Sequence, residues 1–167
     1  VFAIAALLFA VYLAMKVSRQ EAGTKKMKEI SDAISEGARA FLMAEYKILV
    51  VFVIVLFVLI GVGTRSIVTA ICFVAGAAFS TLAGYFGMQV ATKANVRTAN
   101  AAMKSGMNRA LSIAFSGGAV MGLCVAGLGV LGVSVIYLIT GDIDVLAGFS
   151  FGASSIALFA RVGGGIY

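Results

Sequence analysis

Long apolar stretches alternate with short charged ones along the whole chain, and the alternation predicts helices rather than strands. Val1 to Met15 is apolar and reads as the remainder of a helix whose start is missing; no basic leader or small-residue cleavage site marks it as a signal peptide. A charged segment follows, with Lys16, Arg19, Lys25, Lys26 and Lys28 against Glu21 and Glu29. From Thr24 onward, Ile30, Ile34, Ala38, Phe41 and Leu42 recur at helical spacing between Asp32, Glu36 and Arg39, which predicts an amphipathic half-helix. That half runs into the uniformly apolar Ile48 to Ile60. One helix over 24–61 would be longer than 50 Å at about 1.5 Å per residue, against a hydrocarbon core about 30 Å thick. Its first half should therefore stand in water.

The pattern then predicts helices over 67–92, 105–139 and 145–167, which with 1–15 and 24–61 makes five in a single membrane domain. Composition agrees. With 62% hydrophobic and 12% charged residues the chain is far from an ordinary soluble domain, in which about a quarter of the residues are charged. The fold class is all-α, a multi-pass transmembrane bundle.

Charge orients it. Lys93, Arg97, Lys104 and Arg109 follow the third span without an acid, whereas the segments after the second and fourth spans carry Arg65 alone and the pair Asp142 and Asp144. Short loops rich in Lys and Arg stay cytoplasmic. Loops 16–28 and 93–109 are thus expected inside, with the truncated N-terminus outside. A net charge of +6 is explained by this topology, and nucleic acid is not an expected partner.

Candidate chemistry is sparse. There is no His, and Cys72 and Cys124 each sit inside an apolar run, where a thiol acts as a small hydrophobe. Neither a metal site nor a hydrolytic centre is expected within these residues. The glycines are more informative. Lipid supplies no hydrophobic force between helices, so small residues at four-residue spacing mark close packing. Gly76, Ser80 and Gly84, then Gly118 and Gly122, then Gly148 and Gly152 form three such faces, more than five helices can bury among themselves. Glu45, Tyr46 and Lys47 read as an interfacial belt, and Lys93, Arg97 and Arg109 as topogenic, lipid-facing cations.

One residue of the last span is out of place. Arg161 stands in Phe159-Ala160-Arg161-Val162-Gly163-Gly164-Gly165-Ile166-Tyr167. A guanidinium near membrane depth is costly and faces a polar cavity, an acidic partner or the interface. No carboxylate of this chain is placed to pair with it.

Several stretches together resemble the membrane-integral, ion-pumping inorganic pyrophosphatases. They are Gly23-Thr24-Lys25-Lys26-Met27-Lys28-Glu29-Ile30, Glu36-Gly37-Ala38-Arg39-Ala40-Phe41-Leu42, Ala83-Gly84-Tyr85-Phe86-Gly87-Met88, Ala91 to Ala99, Gly117 to Leu123, and Arg161 to Tyr167. The resemblance implies the first five helices of a roughly sixteen-helix pump, usually a homodimer. Such a pump couples hydrolysis of cytoplasmic pyrophosphate to export of Na+ or H+ across the cell membrane. It also implies Mg2+ as cofactor and K+ as a candidate activator, with overall likeness leaning to a potassium-stimulated sodium pump. The pyrophosphate and magnesium motifs of the family begin after Tyr167, so these residues alone are expected to be inactive. Arg161 matches the Arg of the family's ion gate, whose Asp and Lys come from later helices. A small secondary transporter or channel, or a structural membrane subunit, is the alternative.

Overall fold

The computed structural model of the protein describes residues 1–166, so Tyr167 and the side chains of 162–166 lie outside the description. The described residues form five helices: α1 (Phe2–Ser18), α2 (Lys25–Thr64), α3 (Ile67–Ser105), α4 (Met107–Thr140) and α5 (Ile143–Ile166). Four of them are long and apolar enough to cross a membrane. In α2 only 6% of the most apolar window is buried by the chain itself, so its apolar surface is left for lipid or for other helices.

The ends of the helices follow from local chemistry. Thr24 caps α2, its Oγ1 accepting the Met27 N–H at 3.3 Å. The α2–α3 turn is short: Arg65 takes a left-handed φ of 52°, and Ser66 Oγ then accepts the Thr69 N–H that starts α3. Gly61 and Gly63 are therefore helical rather than part of the turn. Gly106 (φ 83°) breaks α3 from α4, and Gly141 (φ 63°) ends α4.

The third helix differs from its sequence reading. The chain remains helical through Lys93–Ser105, which the charge pattern had assigned to a loop beginning after residue 92. No Pro or Gly stands between Gly87 and Gly106, and Ala, Lys and Arg are strong helix formers, so nothing stops the helix at the membrane boundary. At about 1.5 Å per residue α2 and α3 are each nearly 60 Å long, about twice the hydrocarbon thickness.

The chain divides into two compact units. Unit 1 comprises Val1–Leu42 and Tyr85–Gly127. Its core is built of small side chains: Ala10, Leu13 and Val17 on one face of α1, and a cluster of Ala101, Ala110 and Ile113 across the α3–α4 turn. A Cβ on Gly117 would stand 2.8 Å from that of Ala94, and one on Gly127 would meet the Leu7 side chain at 2.9 Å. These positions admit only glycine without movement of a neighbour.

Unit 2 comprises Met43–Gly84 and Leu128–Tyr167. Two apolar clusters hold it: Leu49, Ala77 and Ile156, flanked by Tyr46 and Val53, and Cys72, Val145 and Phe149, flanked by Phe79 and Ile136. Aromatic contacts add direction. Phe79 meets Phe149 edge-on at 5.8 Å, and Phe52 meets Phe159 at 4.8 Å.

Candidate functional site

Arg161 sits in the last turns of α5, and its side chain is exposed. Among the described residues it has neither an ion pair nor a hydrogen bond, and the one salt bridge among them, Lys104 with Glu21, is in unit 1. Its position on the helix explains why. Gly148, Gly152 and Ile156, four residues apart, face α3, where they meet Thr69, Phe73 and Ala77. At about 100° per residue Arg161 lies about 180° from Gly152, on the face turned away from α3.

Small and polar residues share that face with the exposed Ile143 and Leu158. Ser154 and Ser150, seven and eleven positions before Arg161, fall within about 20° of it. Both are exposed. The Ser150 hydroxyl donates to the Leu146 carbonyl at 3.2 Å. Ala147 and Ala157 fill the gaps between them and are exposed as well. α5 thus has one glycine face buried against α3 and an opposite polar stripe ending in a cation. Gly163, Gly164 and Gly165 continue α5 as helix.

The small-residue faces separate into two kinds. Gly76, Gly148 and Gly152 are closed by backbone: a Cβ on Gly148 would meet the Thr69 carbonyl oxygen at 2.6 Å, and one on Gly76 would meet the Phe149 carbonyl carbon at 2.9 Å. Ser80 is half-buried. Gly84, Gly118 and Gly122 face open space, with nothing within 4 Å of a would-be Cβ. Gly87, which lies alongside the small face of α3, meets the Met121 side chain, while Gly117, Gly127 and Gly132 are close contacts that the four-residue spacing did not reveal.

One basic residue of unit 1 acts differently from its sequence reading. Arg97 is half-buried rather than lipid-facing. Its Nε donates to the Gln20 carbonyl at 3.0 Å, its Nη2 to the Ser18 carbonyl at 3.3 Å and its Nη1 to the Lys93 carbonyl at 2.8 Å. The end of α1 leaves carbonyls without helical partners, and the guanidinium fork satisfies that of Ser18 together with the Gln20 carbonyl just beyond the helix, complementing the helix dipole. Asn100 Nδ2 donates to the Glu21 carbonyl at 3.1 Å, and Arg109 Nη2 to Gln20 Oε1 at 3.0 Å. Lys104 pairs with Glu21 at 2.8 Å and holds that carboxyl below its ordinary range, first by hydrogen bonding and then by charge. The α1–α2 connection is clamped to α3.

Tyr46 was read as an interfacial anchor, but its ring packs beside Leu49 and Ala77, and its hydroxyl points to the Thr81 carbonyl at 3.5 Å. Glu45 Oε1 beside it is buried with no hydrogen-bond partner among the described residues. The sequence signal for this acid was its place at the start of the apolar half of α2. Among the described residues no three of His, Cys, Asp and Glu gather into a set that could hold a metal ion.

The family model of the inorganic H+ pyrophosphatases matches residues 4–167, nearly the whole chain. The chain belongs to this family. It is 48% identical over 162 residues to a protein of Methanosarcina mazei named as a K(+)-insensitive pyrophosphate-energized proton pump, and the match covers 96% of this chain and 24% of that protein. It is 54% identical over 165 residues to a protein of Clostridium tetani whose name describes a K(+)-stimulated pyrophosphate-energized sodium pump, covering 97% of this chain and 24% of that one. A second proton pump of the K(+)-insensitive kind, from Moorella thermoacetica, is 44% identical over 172 residues, with 98% of this chain and 25% of the relative covered. The chain spans about a quarter of the length of the curated relatives it matches.

Proposed function

We propose that these five helices are the N-terminal part of a membrane pump that hydrolyses cytoplasmic inorganic pyrophosphate and exports Na+ or H+, and that Arg161 belongs to its ion gate. The observation that carries the reading is the match over residues 4–167 to a family whose similar members are named for pyrophosphate-energized pumping. Relatives named for sodium and for proton pumping are 54% and 48% identical over these helices, so overall likeness here does not select between the two ions. Stimulation by K+ follows the same division, since one name carries it and the other denies it.

The polar stripe of α5 supports the role given to Arg161. A helix in a pump of many helices that turns Ser150, Ser154 and Arg161 away from its glycine-packed face presents them to a water-filled or polar path, because lipid would exact a large desolvation cost for the guanidinium. The guanidinium keeps its charge throughout and cannot itself release a proton. Its part is to attract and orient a carboxylate from another helix and to hold that acid ionised until an arriving cation competes for it. In the full-length pump this makes the site an internal gate rather than a surface feature.

Orientation follows from the basic segments. With residues 16–28 and 93–109 in the cytoplasm, the clamped end of unit 1 lies toward the side on which pyrophosphate is cleaved. Magnesium would supply charge neutralisation of the pyrophosphate, held by acids of other segments.

The test uses full-length protein in sealed vesicles, with phosphate release and ion uptake measured separately. Arg161→Ala is expected to lose ion transport, with hydrolysis either lost or uncoupled from it. Wild-type pumping by that variant would overturn the gate role. Failure of the wild-type full-length protein to release phosphate from pyrophosphate with magnesium would overturn the functional reading as a whole.

A further inference from the structure

Three helices of unit 1 change from apolar to basic at one level. On α1 the change comes between Met15 and Lys16, on α3 at Lys93, and on α4 between Arg109 and Ala110. Hydrogen bonds tie these points together. The Arg97 guanidinium reaches the Ser18, Gln20 and Lys93 carbonyls. The Gln20 side chain donates to the Lys16 carbonyl at 3.2 Å and accepts from Arg109 at 3.0 Å. Lys16, Arg19 and Arg109 are thereby gathered at the end of α1, and all three are exposed.

This end of the molecule also holds the whole excess of positive charge. Residues 16–32 and 93–109 carry nine Lys and Arg against three acids, a surplus of six that equals the net charge of the chain. Within 16–28 and 93–109 the sole acid is Glu21, and it is already paired with Lys104. Lys16 and Arg19 make no side-chain hydrogen bond or ion pair among the described residues. The carbonyls at the end of α1 would repel an anion, but Arg97 occupies those of Ser18 and Gln20. Cations held together without a free acid among them favour an anionic ligand.

Apolar surface adjoins these cations on the membrane side. At about 100° per residue Leu8, Met15, Lys16 and Arg19 all fall within about 60° of Tyr12, so one stripe of α1 passes from aliphatic side chains through a tyrosine to two cations. Every member of the stripe is exposed. On α4 the exposed Leu111 and Phe115 follow Arg109 within two turns. Tyrosine and then Lys or Arg at the end of an apolar surface is the order in which a helix meets hydrocarbon and headgroups.

We propose that Lys16, Arg19 and Arg109 bind the phosphate headgroup of an anionic phospholipid whose acyl chains lie along Tyr12, Met15 and Leu8 of α1. Free phosphate or pyrophosphate would satisfy the cations but would leave the apolar stripe bare, whereas a lipid matches both. The inference goes beyond the pumping reading and requires only that these helices cross a membrane.

The experiment is native mass spectrometry of the full-length protein in detergent, titrated with phosphatidylglycerol or with phosphatidylcholine. The wild type is expected to retain phosphatidylglycerol in preference. A Lys or Arg near an anionic headgroup is worth about fivefold in affinity, so Lys16→Gln with Arg19→Gln should weaken that binding about 25-fold, and adding Arg109→Gln about a hundredfold. The double variant leaves every hydrogen bond of the connection in place, so its loss of lipid would not be a loss of fold. Lys25→Gln, Lys26→Gln and Lys28→Gln together remove as much charge from the first turn of α2 and should bind phosphatidylglycerol as the wild type does. Undiminished binding by the double variant, equal weakening by the two triple variants, or equal retention of phosphatidylcholine by the wild type would each overturn the proposal. Displacement of the bound lipid by inorganic phosphate or pyrophosphate at matched ionic strength would overturn it too, by assigning the site to a free anion.

Discussion

Gly152 of α5 lies directly against the backbone carbonyl of Phe73 in α3, and the relation is returned three residues away by Gly76 against the carbonyl of Phe149. Thr69, Phe73 and Ala77 step along α3 in register with Gly148, Gly152 and Ile156 of α5. Backbone approach of this kind brings Cα–H groups to carbonyl oxygens and excludes any side chain from the seam. The seam fixes which face of α5 is left outward, and so where Arg161 is presented.

Gly152→Ala should therefore be among the more damaging single-methyl changes in the protein. A Cβ there meets the α3 backbone at Phe73 and Ala77 and has nothing flexible to displace, so a loss of about 1–3 kcal/mol is expected from overpacking alone. Gly84→Ala, with nothing within 4 Å, should leave stability within about 0.5 kcal/mol of wild type. Thermal unfolding of the two variants in the same detergent checks the contrast; equal midpoints would show that the seam is not tight.

Arg97 is expected to resist conservative replacement. Arg97→Lys retains charge but cannot bond the Ser18, Gln20 and Lys93 carbonyls at once. Both Arg97→Lys and Arg97→Ala should loosen the α1–α2 connection, each lost charge-assisted bond being worth about 1.5–3 kcal/mol where it is shielded from water. Limited proteolysis between Arg19 and Lys26 reads the effect, and faster cleavage in both variants is the expected outcome. Cleavage of Arg97→Lys at the wild-type rate would mean that charge alone holds the connection.

Lys104→Met should raise the pKa of Glu21 toward the ordinary glutamate value, since the lysine supplies the hydrogen bond and the charge that depress it. A depressed carboxyl stabilises the folded state at pH above its unfolded value, and that contribution fades as pH falls through the folded value. Acid sensitivity traceable to this pair is thus confined to pH below the ordinary glutamate range. A carboxyl-carbon shift titration of labelled Glu21 checks the direction; an unchanged midpoint in Lys104→Met would remove the pair from the clamp.

Thr24→Ala removes the side-chain acceptor for the Met27 N–H and should cost about 1 kcal/mol at the start of α2. The change should appear as faster amide exchange in residues 25–28 with no change in the apolar half of the helix. Uniform exchange along the helix would place the helix start elsewhere.

Much of this molecule was legible in its residues. Apolar runs, broken at Gly23, the Arg65–Ser66 turn, Gly106 and Gly141, determine five helices, four of them long enough to span a bilayer, because each helix satisfies its own backbone and needs no partner to be specified. Thr24 announces a start, and six stretches between Gly23 and Tyr167 together carry the family resemblance. Tertiary structure alone decided what each basic and small residue does. Lys93, Arg97 and Arg109 look alike in sequence, yet only the position of the α1 end makes Arg97 a clamp. Gly118 and Gly152 share the same spacing signature, yet one is open and the other is sealed by a carbonyl. Spacing records which face of a helix is small, whereas contact depends on where a second helix lies, and that is a property of packing between segments distant in the chain.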